Sequence, residues 1–163
     1  LFDLPGEKID VVIHPQSIVH SMVEFVDGSV KAQMGLPTML VPIQYALTYP
    51  NRMPLNLPRL DLASIKELTF EAPDLDRFPC LRMAYSALKV GGSAGAVINA
   101  ANEVAVASFL AGELSYLGIA RTIEWTLDYI EHVSHPSLDD VVSIDAESRR
   151  RASEYIIGTQ WKN

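Results

Sequence analysis

The sequence has one cysteine, few aromatic residues and no excess of basic side chains. The single cysteine, Cys80, excludes an internal disulfide and fits a reducing compartment. No apolar run is long enough to span a bilayer, and no charged segment followed by an apolar one opens the chain. Neither a transmembrane helix nor a signal peptide is therefore expected. The formal net charge of −7 argues against a nucleic-acid or anionic-membrane partner.

The rest of the composition is typical of a globular protein. Hydrophobic residues make up 48% of the 163 residues, and this length indicates one domain or two small ones. The chain begins at Leu1 rather than at methionine, and Leu1–Pro5 resembles the tail of an earlier element. We therefore expect the chain to be part of a larger protein.

The first fifty residues are expected to form a small sheet. Val11–Ile13 is a short β-branched run that stops at Pro15, which predicts a short strand. Two further apolar runs, Val19–Val26 and Ser29–Met34, are separated by Asp27-Gly28. An Asp-Gly pair between two such runs predicts a hairpin with a two-residue type I′ loop.

A two-residue loop also predicts the register of this hairpin. Glu24 would face Lys31, a cross-strand pair worth roughly 0.2–1 kcal/mol, and His20 would face Gly35. One face is predicted to be nearly all apolar, with Ser21, Val23, Phe25, Val30, Ala32 and Met34. The other is predicted to be polar, with His20, Met22, Glu24, Lys31 and Gln33. His20 would then lie at the open end of the hairpin, beside the loop Gly35–Met39.

Helical patterns dominate the remainder of the chain. Val41–Tyr49 is predicted to be a short helix, and four prolines between residues 50 and 75 predict an extended connection that allows a short strand at Leu68–Phe70. Asp76 and Ser93 are expected to cap the first two of four later helices. These helices are predicted at about 78–90, 93–111, 119–132 and 145–157. The second is apolar almost all round, which predicts the centre of a small antiparallel bundle.

The histidines at positions 14 and 20 raise the question of a metal or catalytic site. Only Glu24 is near them, and the pattern has no known ligand spacing, so a metal site is disfavoured. His14 precedes Pro15 at a strand end, and a structural role is favoured. His20 lies at a strand end on the predicted polar face, beside a glycine- and proline-containing loop, where binding residues often lie. The spacing alone leaves a functional and a structural role of His20 equally open.

Four other patterns carry weaker signals. Gly91–Gly95 lacks the full Gly-x-Gly-x-x-Gly spacing and follows no strand, so helix punctuation is favoured over a phosphate loop. A stripe early in the second long helix is expected to be a polar face, with ligand contact as the alternative; it consists of Asn99, Asn102 and Glu103. Arg149–Arg151 is predicted to be a solvated helix face. Cys80 is predicted to be a structural thiol, because no base is evident nearby.

Eight stretches, taken in order, carry a more specific signal. They are Ile9–Ser17, His20–Val23, Asp27–Ser29, Pro50–Arg52, Leu68–Phe70, Pro73–Leu81, Asn99–Glu103 and Asp139–Asp145. Together they resemble the 1-deoxy-D-xylulose-5-phosphate reductoisomerase family over nearly the whole chain. The resemblance implies an enzyme that converts 1-deoxy-D-xylulose 5-phosphate to 2-C-methyl-D-erythritol 4-phosphate with NADPH and a divalent metal, Mg²⁺ or Mn²⁺, in non-mevalonate isoprenoid synthesis.

The resemblance also implies an architecture. The expected fold class is α+β, a small, mainly antiparallel sheet with a hairpin, followed by a linker and a C-terminal helical bundle. Residues 1–50 resemble the end of the catalytic and dimerisation domain, 51–75 the linker, and 76–163 the bundle. The family's N-terminal NADPH-binding domain and the first part of its catalytic domain are missing from this sequence. They are the implied partners of the chain, and the complete enzyme is expected to be a homodimer.

The resemblance assigns roles to four residues. Ser17 and His20 match positions that line the family's substrate pocket, and Pro37 and Met39 match a loop that packs near the nicotinamide. No residue of the chain matches a metal ligand of the family, so the 163-residue segment alone is expected to be inactive. The implied location is the bacterial cytoplasm or a plastid-type compartment. The alternative is a stand-alone, non-catalytic α+β interaction module.

Overall fold

The structure is a computed structural model that describes residues 4–159. Within this range the chain forms one two-stranded antiparallel sheet and six α-helices, so the predicted α+β fold class is confirmed. The strands are β1 (Val19–Glu24) and β2 (Val30–Met34). The helices are α1 (Leu40–Thr48), α2 (Leu62–Ile65), α3 (Pro79–Val90), α4 (Ala94–Leu110), α5 (Tyr116–Tyr129) and α6 (Leu138–Gly158).

The chain divides into two compact units. The sheet unit is Val11–Pro73, and the helical unit combines the start of the chain up to Asp10 with the chain from Asp74 onwards. The Pro-rich connection after Pro50 therefore belongs to the same unit as the hairpin. The finer division into residues 1–50, 51–75 and 76–163 stays a prediction.

The hairpin forms where the sequence predicts it, but the predicted register is wrong by one residue. Phe25 pairs with Ser29, and the Gly28 amide donates to the Phe25 carbonyl at 2.9 Å, so the loop has three residues rather than two. Gly28 has φ +79°, the left-handed conformation that follows a type I turn in a three-residue hairpin loop. Asp27 stabilises this loop, since its carboxylate accepts from the Ser29 amide at 2.9 Å and from the Ser29 hydroxyl at 2.6 Å.

The new register also changes which residues share a face. Glu24 faces Val30, and Lys31 faces Val23, so the predicted Glu24–Lys31 pair is not made across the strands. Residues opposite each other in an antiparallel pair point to the same side. Each face of the hairpin therefore mixes polar and apolar side chains, and the predicted division into an apolar and a polar face is wrong.

The expected three-stranded sheet is not present in residues 4–159. Ile13 makes only an isolated antiparallel bridge to Glu71, with both backbone hydrogen bonds at 2.9 Å. The strands predicted at Val11–Ile13 and Leu68–Phe70 are therefore not formed, and the two segments meet only at this bridge, whose partner Glu71 follows the predicted strand. Pro15 and Pro73 bound these segments, and a proline cannot donate to a ladder, which limits the pairing to one bridge.

The helical unit is a bundle with α4 at its centre, as its apolar character predicts. α4 packs against α3, α5 and α6, and α5 also packs against α6. Three alanines of α4, at positions 100, 101 and 105, are fully buried, and such small side chains let neighbouring helices approach closely. The main core cluster consists of Met83, Ala101, Ile123 and Ala152. None of the helices within residues 4–159 has the length and apolar character needed to span a membrane.

Three of the predicted helix starts differ from the structure. Phe78 rather than Asp76 is the residue before α3. The turn that leads into this helix is held by Asp74, whose carboxylate accepts from the amides of residues 76 and 77 at 3.0 Å. α5 begins three residues earlier than predicted, after Ser115, whose side chain accepts from the Gly118 amide. α6 begins at Leu138 rather than near Asp145, because Ser137 and Asp140 form a reciprocal capping box.

Candidate functional site

The four residues that the resemblance assigns to a pocket all belong to the sheet unit. Ser17 precedes β1, His20 lies inside it, and Pro37 and Met39 follow β2. The Gly35 amide donates to the Ile18 carbonyl at 3.0 Å, just beyond the last ladder pair. This hydrogen bond joins the residue before β1 to the residue after β2, so the four residues gather at the open end of the hairpin, where the sequence places His20.

Ser17 has an uncommon backbone conformation. Its φ is +52°, and it is one of only two non-glycine residues with positive φ among residues 4–159. The left-handed conformation costs a residue with a Cβ atom roughly 1–2 kcal/mol, so it persists only where the surroundings hold it. The Ser17 side chain is exposed, while the next residue, Ile18, is buried. The strained turn therefore presents a hydroxyl to solvent on an anchored backbone.

A tight turn and a distant segment hold this conformation. The Ser17 amide donates to the His14 carbonyl at 3.0 Å, which closes a turn with Pro15 at its first central position. The side-chain amide of Gln16 donates to the Thr69 hydroxyl at 2.8 Å, and its oxygen accepts from the Thr69 amide at 3.3 Å. The chain just before Ser17 is thus fastened to the segment 69–71.

His14 has contacts typical of a structural histidine. Its Nδ1 lies 2.8 Å from the Thr69 carbonyl oxygen, which can only accept, so Nδ1 carries the proton. Its ring stacks on Phe70 with centroids 4.5 Å apart and planes 15° from parallel. Its Nε2 is buried and has no hydrogen-bond partner within the described chain. These contacts support the structural role that the sequence favours.

His20 lies at an irregularity of the hairpin. Val19 pairs with Met34 but Ser21 pairs with Gln33, so His20 is the extra residue of a β-bulge and has no partner opposite it. The predicted pairing of His20 with Gly35 is therefore wrong. The imidazole is nonetheless close to that glycine, because a Cβ atom added at Gly35 would lie 3.9 Å from the His20 Cε1. Bulges re-aim side chains, and here an exposed imidazole points beside the loop that follows β2.

Pro37 and Met39 lie on that loop. Both are exposed, and Met39 is 69% exposed. Met39 is the residue before α1, and its carbonyl accepts from the Ile43 amide at 3.1 Å. An exposed thioether next to a helix start offers a flexible apolar surface to a flat ring. The structure thus gives the loop the exposure that its predicted role requires, while that role stays a prediction.

These side chains define what the site can do. A serine hydroxyl and an imidazole can each donate or accept a hydrogen bond, which suits the oxygens of a phosphorylated sugar. Among residues 4–159 no three His, Cys, Asp or Glu side chains come together as a metal site. The side chains described in this part of the chain therefore offer a Mg²⁺ or Mn²⁺ ion no ligand cluster, and the absence of metal ligands from the whole segment stays a prediction. The described strands form a hairpin rather than a βαβ unit, so they also provide no dinucleotide fold.

Two residues of the polar stripe on α4, Asn99 and Glu103, are bound within the protein, whereas Asn102 is exposed. Asn99 donates to Glu103 at 3.1 Å, and Arg149 of α6 donates to Glu103 at 2.7 Å. Arg149 also donates to Asp145 at 2.7 Å. The hydrogen bond from Arg149 is the main reason that the pKa of Glu103 is lower than usual. This network accounts for Asn99 and Glu103 without a ligand, and it shows that Arg149 is not part of a purely solvated face.

The remaining sequence candidates also have structural explanations. Gly91 and Gly92 have positive φ and separate the end of α3 at Val90 from the start of α4 at Ala94, so helix punctuation is confirmed. A Cβ atom at Gly92 would clash with the Val133 carbonyl oxygen. Desolvation raises the pKa of the Cys80 thiol, which keeps it in its less reactive form. Arg151 stacks over the Tyr129 ring at 4.3 Å and donates to Glu147 at 2.7 Å. The glycines and Arg151 thus support the bundle rather than a second site, whereas Cys80 is exposed and its role as a structural thiol stays a prediction.

Sequence reasoning did not single out Gln16 and Thr69 as contacts of the site. Both lie in stretches that carry the family resemblance, but nothing in their spacing shows that they meet. They are separated by 53 positions along the chain and are joined by the side-chain hydrogen bonds described above. The signal that could have drawn attention to them is the pairing of two short β-like segments, Val11–Ile13 and Leu68–Phe70.

Comparisons with known proteins agree on one family. The family profile described as "DXP reductoisomerase C-terminal domain" matches residues 34–151. A 1-deoxy-D-xylulose 5-phosphate reductoisomerase of Geotalea daltonii is 55% identical over 156 residues, which are 96% of this chain and 41% of that protein. A relative of the same description from Acidithiobacillus ferrooxidans is 54% identical over 156 residues, 96% of this chain and 40% of that protein. The chain thus spans about two fifths of the length of these relatives.

Solved structures give the same result. A 1-deoxy-D-xylulose 5-phosphate reductoisomerase from Zymomonas mobilis in complex with NADPH has a TM-score of 0.85 and 45% identity; the match covers 95% of this chain and 41% of that one. A DOX-P reductoisomerase in complex with NADPH, fosmidomycin and magnesium has a TM-score of 0.88 and 40% identity; the match covers 99% of this chain and 42% of that one.

Proposed function

The chain belongs to the DXP reductoisomerase C-terminal domain family, and we propose that it is the C-terminal part of a 1-deoxy-D-xylulose 5-phosphate reductoisomerase. The complete enzyme would rearrange 1-deoxy-D-xylulose 5-phosphate and reduce the intermediate with NADPH to 2-C-methyl-D-erythritol 4-phosphate. The observation that carries this proposal is the high identity to curated reductoisomerases over almost the whole chain. Similarity to bacterial relatives supports a cytoplasmic location.

In this proposal, cofactor and metal binding belong mainly to the rest of the protein, and this segment contributes part of the substrate pocket. NADPH and Mg²⁺ or Mn²⁺ would be bound mainly by the parts that precede this segment, since the side chains described here gather no metal site. When bound, NADPH supplies the hydride and the metal polarises the substrate carbonyl. This segment would contribute one wall of the pocket, with Ser17 and His20 towards the substrate and Pro37 and Met39 towards the nicotinamide.

The backbone conformations at Ser17 and His20 support this use of their exposed side chains. One residue lies in a strained turn and the other in a bulge, and both features recur next to active sites. Their hydroxyl and imidazole groups can bind substrate oxygens directly or through a water. They would orient the sugar phosphate through hydrogen bonds. Neither residue is assigned a proton transfer.

The apolar surface of the sheet unit supports a partner. Val23, Phe25 and Val30 of the hairpin are each half exposed or more, and a two-stranded hairpin needs further packing to be stable in water. The missing N-terminal NADPH-binding and catalytic parts would cover much of this surface, and a second copy in a homodimer would cover the rest. The 163-residue segment alone would then be inactive.

The test uses the complete gene product that contains this segment. Purified protein with NADPH and Mg²⁺ is expected to oxidise NADPH only when 1-deoxy-D-xylulose 5-phosphate is added, and the 163-residue segment alone is expected to oxidise none. An intact-mass measurement of the native protein separates the alternative, a stand-alone interaction module. A native product near 18.0 kDa would support that module, and one more than twice as large would support the enzyme.

A further inference from the structure

We propose that Gln16 and Thr69 are positioning residues, which hold Ser17 in its left-handed conformation and so aim its hydroxyl at a phosphorylated sugar. The inference rests on the proposed function, because Ser17 faces substrate only if the protein is a reductoisomerase. It adds two residues that contact no substrate themselves. One of them, Thr69, comes from the Pro-rich connection rather than from the hairpin.

The need for positioning residues follows from the conformation of Ser17. Its φ of +52° is unfavourable for any residue with a Cβ atom, and a free turn would relax to a negative φ. Relaxation would rotate the Cα–Cβ bond and turn the hydroxyl away from its present direction. Contacts on both sides of Ser17 must therefore fix the backbone.

The contacts after Ser17 are those of a buried anchor. Ile18 is 8% exposed, and its carbonyl accepts from the Gly35 amide at 3.0 Å. This anchor fixes the chain after Ser17. Before it, the hydrogen bond from the Ser17 amide to the His14 carbonyl at 3.0 Å closes the turn but does not tie it to the rest of the sheet unit. The turn must be held from its other side.

The side chain of Gln16 makes the further contacts before Ser17, and it pairs with Thr69 as a neighbouring strand would. The amide nitrogen of Gln16 donates to the Thr69 hydroxyl at 2.8 Å. Its oxygen accepts from the Thr69 backbone amide at 3.3 Å and from the Thr69 hydroxyl at 3.2 Å. The Gln16 side-chain amide thereby extends the contact between the two segments from the Ile13–Glu71 bridge to the residue next to Ser17.

The segment around Thr69 is itself held in place. Three contacts fix it on one side: the backbone pair between Ile13 and Glu71, the hydrogen bond between His14 and the Thr69 carbonyl, and the stacking of His14 on Phe70. Thr69 therefore offers Gln16 a fixed hydroxyl and a fixed amide. A fixed partner is what a positioning contact requires.

The solvent exposure of the Gln16–Thr69 contacts makes it possible to distinguish a positioning role from a contribution to folding stability. The Gln16–Thr69 side-chain hydrogen bonds are solvent-exposed, and their modest contribution to folding is offset by the cost of the Ser17 conformation that they hold. Their loss should leave the unfolding temperature almost unchanged. A change in substrate kinetics without a change in stability would therefore identify their role.

The experiment compares two variants in the complete enzyme, Gln16→Ala and Thr69→Val. Valine keeps the shape and β-branching of threonine but removes the hydroxyl. Each variant is expected to lower kcat/KM for 1-deoxy-D-xylulose 5-phosphate roughly tenfold, because displacement of a substrate contact by a fraction of an ångström is costly. The KM for NADPH should stay within about twofold, and the melting temperature should fall by less than about 3 °C.

Two further variants provide the controls. Ser64→Ala removes an exposed hydroxyl that donates to Asp61 at 2.6 Å in the same sheet unit, and its kinetics should match the parent enzyme. Ser17→Ala removes the positioned hydroxyl itself. If Gln16 acts through Ser17, the double variant Ser17→Ala/Gln16→Ala will be no slower than Ser17→Ala alone.

The outcomes distinguish this inference from the proposed function. A parent enzyme that does not turn over 1-deoxy-D-xylulose 5-phosphate overturns the proposed function and the inference with it. An active parent with Gln16→Ala and Thr69→Val near full activity overturns the inference alone. Full activity of Ser17→Ala, or fully additive losses in the double variant, would also overturn it.

Discussion

Ser93 and Val133 bind each other through two hydrogen bonds in the helical unit. The Ser93 backbone amide donates to the Val133 carbonyl at 2.9 Å, and the Val133 amide donates to the Ser93 hydroxyl at 3.0 Å. The sequence predicts Ser93 as the cap of α4, but its side chain accepts from no amide of that helix. It instead fixes the loop between α5 and α6 against the start of α4.

Ser93→Ala is expected to destabilise the helical unit by about 1–3 kcal/mol. Ser93 is 1% exposed, so the Val133 amide would lose its acceptor in a place where water replaces it poorly. Hydrogen–deuterium exchange of peptides from α4 in the complete protein is the appropriate measurement, because it reports on this unit alone. Exchange should be faster in the variant.

Ser148→Ala is the matched control. Ser148 is also fully buried, but its hydroxyl has no hydrogen-bond partner within residues 4–159. Removing an unsatisfied buried hydroxyl relieves a desolvation penalty, so exchange from α4 should be unchanged or slower. Equal protection losses in Ser93→Ala and Ser148→Ala would contradict this account of the two serines.

Gly28→Ala is expected to destabilise the hairpin by about 1–2 kcal/mol. Gly28 has φ +79°, and no atom lies within 4 Å of an added Cβ, so the effect would be purely conformational. Hydrogen exchange at the β1 and β2 amides in the complete protein measures it. A two-residue loop of type I′ would place Asp27 as well as Gly28 at positive φ, so Asp27→Gly should not stabilise the observed loop.

Gly95→Ala is the corresponding control in α4. No atom lies within 4 Å of an added Cβ there either, but Gly95 is helical. Alanine is favoured over glycine in a helix by up to about 1 kcal/mol, so this variant should slow exchange in the first turns of α4. Opposite signs at Gly28 and Gly95 are the expected result, and equal signs would contradict it.

The hairpin shows how far the sequence determines the fold. The Asp27-Gly28 signal predicts the hairpin correctly, but the same dipeptide fits a two-residue and a three-residue loop. The favourable pair that Glu24 and Lys31 would make supports the wrong choice, since on an exposed hairpin such a pair is too weak to set the register. Asp27 decides it through its hydrogen bonds to Ser29.

The candidate site shows a similar limit. The position of His20 at the open end of the hairpin follows from local pattern, and the resemblance adds Ser17. The strained φ of Ser17 is invisible in the sequence, because serine has no preference for it and Thr69 lies more than fifty positions away. Long-range contacts of this kind cannot be derived from periodicity or turn signals.

The ion pair between Glu103 and Arg149 predicts a pH dependence. The hydrogen bonds from Arg149 and Asn99 lower the pKa of Glu103 in the folded protein, whereas desolvation and the nearby Asp145 carboxylate oppose this. The stabilisation is therefore present above the ordinary pKa of 4.5 and is lost as the pH falls through the lower folded value. Glu103→Gln should reduce stability near neutral pH, and the difference from the parent should shrink in acid.

Thermal unfolding of parent and Glu103→Gln over a series of pH values checks this expectation. The effect should be smaller than that of Ser93→Ala, because the pair is exposed and screened by salt. Added salt should narrow the difference at neutral pH. A difference that is constant from neutral to strongly acidic pH would contradict the assignment.

The last prediction concerns His20. The β-bulge leaves its imidazole without a residue opposite it on β2, and the side chain is exposed beside Gly35. Its replacement should therefore disturb no core packing, and the free energy of unfolding should change by less than about 1 kcal/mol. If the bulge aims the imidazole at substrate, the loss will appear in catalysis instead.

In the complete enzyme, His20→Gln should lower kcat/KM for 1-deoxy-D-xylulose 5-phosphate roughly ten- to a thousandfold, about 1.4–4 kcal/mol of transition-state stabilisation. His14→Gln is the control, because His14 stacks on Phe70 and binds the Thr69 carbonyl. This variant should lower the melting temperature, and it should lower kcat/KM no more than Gln16→Ala does, because the His14 side chain reaches the site only through Thr69. Unchanged kcat/KM in His20→Gln together with a large fall in melting temperature would show that His20 supports the fold and binds no substrate.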